Sequence, residues 1–143
     1  MFKITASGDL TTVHNFESTD GANEEGPLFE ATNGKLYGTT DQGGANGYGS
    51  IYDATLAGAV TTLYSFNATG GNYPVAGVTQ GTDGSLYGTT TLTSGFSTFG
   101  TTFKITTGGA FTTLHTFDNS DGQRTGARHR WELLWGHVRR WEQ

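Results

Sequence analysis

The 143-residue chain has no cysteine, two prolines, one methionine and only 15% charged residues. Without cysteine there is no disulfide framework, no thiolate metal site and no cysteine nucleophile. No run approaches the roughly 18 consecutive apolar residues of a membrane span. The start, Met1-Phe2-Lys3-Ile4-Thr5, lacks the basic segment followed by an apolar one that a signal peptide needs, so none is expected. Cations are scarce as well. Residues 1–122 carry Lys3, Lys35 and Lys104 against eleven Asp and Glu, and such an acidic body excludes a phosphate-binding surface for nucleic acid.

What the chain has instead is 23 glycines and 26 threonines, about a third of its length. Glycine costs about 1 kcal/mol at each helical position and threonine is stiff at its branched carbon, so a helical bundle is excluded. Aromatic residues make up 13%, more core-forming material than a disordered linker carries. An all-β domain is what remains.

The chain also repeats itself. Phe2 to Phe16 recurs at Tyr52 to Phe66, an offset of 50, and again at Phe103 to Phe117, a further 51. Between them, Thr32-Asn33-Gly34-Lys35-Leu36-Tyr37-Gly38-Thr39-Thr40 recurs as Thr82-Asp83-Gly84-Ser85-Leu86-Tyr87-Gly88-Thr89-Thr90. Each full unit reads as four short strands: 27–32, 35–41, 50–56 and 59–66 in one, and 75–80, 85–91, 102–107 and 110–117 in the next. Asn33-Gly34 and Asp83-Gly84 are expected to form two-residue hairpin turns with positive φ. The last strand of each unit alternates, with Val60, Tyr64 and Phe66 opposed to Leu63, and Phe111, His115 and Phe117 opposed to Leu114. Buriable residues on both faces, at roughly 50 residues per four strands, predict blades of a β-propeller; a β-solenoid is the rival, with shorter coils. The repeat domain is 1–122: a half blade over 2–16, a blade over 27–66 and a blade over 75–117. Exposed strand edges at such a half blade predict self-association or completion by further repeats.

Leu-Tyr-Gly-Thr-Thr followed by Phe-Lys-Ile-Thr-x-x-Gly-x-x-Thr-Thr-Leu-x-x-Phe resembles the GloVer repeat of bacterial choice-of-anchor proteins over residues 2–122. The resemblance implies an extracellular or cell-surface protein built of many such repeats, a β-propeller in architecture. It carries no catalytic residue across.

Candidate chemistry is sparse. His14 and His115 share one repeat position, but Tyr64 fills it in the middle unit, so a strand-face ring explains all three better than a metal site. Asp118-Asn119-Ser120-Asp121-Gly122, with Glu17 to Gly21 as its counterpart, offers hard oxygen ligands for calcium. The middle unit, Asn67-Ala68-Thr69-Gly70-Gly71, loses a carboxylate, and no closing Glu follows; no cofactor is expected. Glu24, Glu25 and Glu30 are the candidate acid pair of a glycosidase. Their counterparts Pro74, Val75 and Gln80 make such a site private to one unit, and a solvated loop reads better. Gly38 and Gly88 read as places of close backbone approach. No catalytic, cofactor-binding or metal residue is assigned. The expected function is a non-catalytic structural or ligand-binding module that takes glycan or protein through exposed aromatics such as Tyr48, Tyr73, Phe96 or Phe99. A propeller enzyme acting on polysaccharide is the alternative.

Residues 123–143 break the pattern. They hold five arginines against Glu132 and Glu142, and all three tryptophans of the chain. Trp131, Leu134, Trp135, Val138 and Trp141 fall at helical spacing beside Arg139 and Arg140, as in a basic amphipathic helix. The repeat predicts something else here. Permitted codons for residues 127–137, read one base further on, spell Pro-Ala-Thr-Asp-Gly-Asn-Phe-Tyr-Gly-Asp-Thr. A frameshifted reading of the next unit accounts for the charge switch, the tryptophans and the lost repeat together, and is preferred over the helix.

Overall fold

The computed structural model describes residues 1–91, 99–118 and 121. The proposed tail, Phe96 and Asn119, Ser120 and Gly122 lie outside the described residues. Those described form strands and no helix. β1 (Phe2–Ile4) and β2 (Leu10–Thr12) pair as a hairpin. A four-stranded antiparallel sheet follows in the order β3-β4-β5-β6: Phe29–Glu30, Leu36–Thr40, Ser50–Ala54 and Val60–Ser65. The next sheet repeats that order with β7 (Thr79–Gln80), β8 (Leu86–Thr89), β9 (Thr101–Ile105) and β10 (Phe111–Thr116). The two four-stranded sheets are antiparallel and blade-like.

The hairpins are tight, but not in the predicted way. Ala31 N–H donates to Lys35 and Gly34 N–H to Ala31, enclosing a three-residue loop of Thr32, Asn33 and Gly34. Only its last residue, Gly34, has positive φ, at 75°. A two-residue turn of the expected kind would need positive φ at Asn33 too. The same three-residue loop ends at Gly8, Gly58, Gly84 and Gly109, all with positive φ. Glycine adopts that conformation without the steric penalty of a Cβ, and this fixes register at these five hairpins.

Register is equivalent between units: Leu36 pairs with Glu30 and Ala54, and Leu86 with Gln80 and Ile105. Alternation along the outermost strand is interrupted. A one-residue shift falls after Ile51 in the β5–β6 pair and between Thr113 and His115 in the β9–β10 pair, leaving Leu63 and Leu114 as bulge residues.

The core lies between the two four-stranded sheets, where Tyr37, Ile51 and Phe66 meet Val78, Leu86, Phe103 and Ile105. Leu86 is therefore buried while Leu36, on the opposite face of its own sheet and turned towards the two-stranded hairpin, is half-buried. Tyr37 is buried and its counterpart Tyr87 half-exposed, for the converse reason.

Candidate functional site

The repeated polar and aromatic positions pack in a repeated pattern. His14, Tyr64 and His115 all set their rings edge-on against the phenylalanine two residues on, at 4.7, 5.3 and 5.0 Å between centroids. His14 Nε2 lies 2.8 Å from Asp20, whose other carboxylate oxygen accepts from Glu17 N–H. His115 and Asp121 repeat the contact at 2.9 Å, with Asp118 N–H as the second donor. The Asp118 amide, and then the His115 ring, hold the Asp121 carboxyl below its ordinary range. In the middle unit Gly70 replaces the aspartate. A Cβ there would stand 2.9 Å from Tyr64 Oη, so the longer tyrosine reaches the ground that the His–Asp pair occupies elsewhere. Tyr64 also stacks flat on Phe111 at 3.9 Å. In the two calcium candidates the carboxylates of Asp20 and Asp121 are thus engaged by their own turns.

At Gly38 and Gly88, where close backbone approach was expected, the close approach is by a ring. The ring of Tyr52 covers Gly38 across the strand pair, and that of Phe103 covers Gly88, where a Cβ would fall 2.5 Å from the ring. Each covering ring is met by the last phenylalanine of the preceding unit, Phe16 at 4.7 Å and Phe66 at 5.4 Å.

One repeated device has no distinct signature in the sequence. Thr40 and Ser50 share a buried hydroxyl contact of 2.9 Å, and Ser50 Oγ donates to the Asp20 carbonyl at 2.8 Å. Thr90 and Thr101 repeat it at 2.8 Å, with Thr101 Oγ reaching the Gly70 carbonyl at 3.4 Å. Each sheet is so tethered to the turn of the unit before it. The signal was the hydroxyl kept at both positions in both units, lost among the many threonines.

The profile of the Gloeobacter/Verrucomicrobia repeat matches residues 1–137. The chain belongs to the Gloeobacter/Verrucomicrobia repeat family. No curated protein and no solved structure matches it. In this member of the repeat family, turn, ring and hydroxyl interlock at matched positions of the chain's own units.

Positions that differ between the units of this chain are then the ones left for a private role. Glu24, Glu25 and Glu30 are all exposed; Glu24 accepts from the Met1 ammonium at 2.9 Å, and Glu30 lies opposite Leu36. Tyr48, Tyr73 and Phe99, expected to be exposed, are half-buried, because Tyr48 packs on the core and Phe99 N–H bonds to Phe117. Tyr48 and Tyr73 meet edge to face at 6.4 Å, drawn together by the hydrogen bond from Tyr73 N–H to the Tyr48 carbonyl. Tyr73 adopts φ 57°, as Asn23 does at 58° in the unit before. No group of three His, Asp or Glu side chains set to hold a metal occurs among the described residues.

Proposed function

We propose that this repeat protein is a non-catalytic module of an extracellular or cell-surface protein, and that it binds glycan or protein beside Tyr48 and Tyr73. The observation that carries the reading is a division of labour. The repeated histidine and aspartate side chains are consumed in local turns and the serine and threonine hydroxyls in tethering each sheet to the turn before it, whereas this tyrosine pair keeps part of its surface in solvent at the junction of two sheets. Paired rings with one wet edge and a hydroxyl suit the apolar face and polar rim of a sugar. The placement outside the cell follows from the resemblance to choice-of-anchor surface proteins. Screening the full chain on a glycan array, with Tyr48→Ala and Tyr73→Ala beside it, tests the proposal. Binding that falls about tenfold in either variant, near 1.4 kcal/mol, supports it. Cleavage of a polysaccharide by the chain, or binding indifferent to both tyrosines, refutes it.

A further inference from the structure

The hairpin that opens the chain is built like the outer half of a sheet, with β1 in the place of β5 and β9. Those two strands have a neighbour on each side, while β1 pairs only with β2 among the described residues. The consequence is visible in burial. Phe2 and Ile4 are 65% and 64% exposed, whereas their counterparts Tyr52 and Ala54 are 2% and 0% exposed, and Phe103 and Ile105 are both 0%. We propose that the free edge of β1 is an acceptor for an inner-strand hairpin of the β7–β8 kind. Its Leu-Tyr-Gly-Thr-Thr strand would lie antiparallel to β1, as β8 does to β9.

Charge selects the occupant. On β5 the residue at the repeat position of Lys3 is Asp53, held at 2.8 Å by Lys35, which follows an Asn-Gly turn. On β9 it is Lys104, held at 2.6 Å by Asp83, which belongs to an Asp-Gly turn. β1 carries Lys3 at this position. The complementary hairpin therefore has an aspartate in its turn and no lysine after it, and a hairpin of the β3–β4 kind would set lysine against lysine.

The test uses the intact chain and two labelled peptides, residues 77–91 and 27–41, whose side chains carry the same net charge of −1. Peptide 77–91 is expected to bind, with chemical-shift changes centred on Phe2 to Ile4, and 27–41 to bind at least several-fold more weakly. Lys3→Glu, at an exposed site that leaves the fold intact by circular dichroism, is expected to reverse the order. No uptake of either peptide, an order indifferent to Lys3→Glu, shifts elsewhere, or pairing of two copies through β1 in place of peptide uptake would each overturn the proposal. None of these outcomes depends on the tyrosine pair.

The tryptophans carry a second, independent inference. Their codon, TGG, read one base further on, gives GG plus the next base, which is glycine whatever follows. Trp131, Trp135 and Trp141 stand 97 residues after Gly34, Gly38 and Gly44. The fold demands glycine at all three: Gly34 and Gly44 have φ of 75° and 74°, and Gly38 lies under Tyr52. His129 and His137, 97 residues after Thr32 and Thr40, read in the same frame as Thr or Ile and as Thr or Met. We infer that the frame changes before Arg128, by one base gained or two lost, and that the adjacent frame encodes the inner hairpin of a further unit. With Arg130 as CGA or AGA its turn reads Asp-Gly, the kind that β1 selects. The gene sequence decides: Arg130 as CGA or AGA, Leu134 as CTA or TTA and Arg140 as CGG or AGG are expected, and any other codon at Arg130 or Leu134 overturns the inference.

Discussion

Gly88 and Gly34 are both glycines of the repeat, kept for different reasons that substitution separates. A methyl group at Gly88 strikes the Phe103 ring, and overpacking of this kind costs about 1–3 kcal/mol. At Gly34 nothing lies within 4 Å, so alanine there meets only the penalty of its positive φ, about 1 kcal/mol. Urea denaturation of Gly88→Ala, Gly34→Ala and the double variant Gly88→Ala/Phe103→Leu is expected to show the first loss larger and partly recovered by the smaller side chain. Tyr52 provides a titration at the same scale. Burial, and then the nearby Glu24 carboxylate, push its phenol up to about 12. The unfolded phenol ionises near 10, so between these values the folded chain keeps a proton that the unfolded chain releases. The stability tied to Tyr52 is full below about pH 10 and declines as pH rises towards 12. Tyr52→Phe is expected to flatten the fall in urea midpoint between pH 9 and 11 relative to the parent chain; equal slopes would remove Tyr52 as its source.

Strands and turns show how far local chemistry reaches. The two Lys–Asp pairs look alike in sequence, yet Asp53 has only 4% of its side chain exposed and Asp83 has 41%. Lys35→Met leaves a buried carboxylate without its cation and should lower the denaturation midpoint clearly, whereas Lys104→Met, at a solvent-screened pair, should leave it within error. Thr90→Val deprives Thr101 of its buried partner and is expected to cost about 1–3 kcal/mol, measured by the same unfolding curves. The run of strands, their equivalence from unit to unit and the glycine that ends each hairpin loop were legible in the sequence, because a 50-residue offset repeats apolar and turn residues together. Loop length was not: Asn-Gly fits two-residue and three-residue loops alike, and the hydrogen bond from Ala31 N–H to Lys35 decides between them. The bulges at Leu63 and Leu114 were hidden because an extra residue leaves the spacing between units unchanged. At the tyrosine junction, residue type was readable and burial was not, since the contact of Tyr48 with Tyr73 joins segments that no periodicity links.

Across the whole molecule, protection grades from one end of the chain to its middle. β5 is buried at all five positions and flanked on both sides, while β1 and β2 are exposed throughout. Hydrogen exchange is expected to be slowest in β4, β5, β8 and β9 and fastest in the opening hairpin, and uniform rates would contradict the blade-like arrangement. The hydroxyl tethers add a direction to this gradient. Ser50 and Thr101 each donate to a carbonyl that the chain has already passed, at Asp20 and Gly70. Synthesis adds roughly 5–20 residues per second from the N-terminus. A growing chain therefore leaves the ribosome with each acceptor turn in place before the donor that seeks it, and a unit can lock onto its predecessor without waiting for its successor.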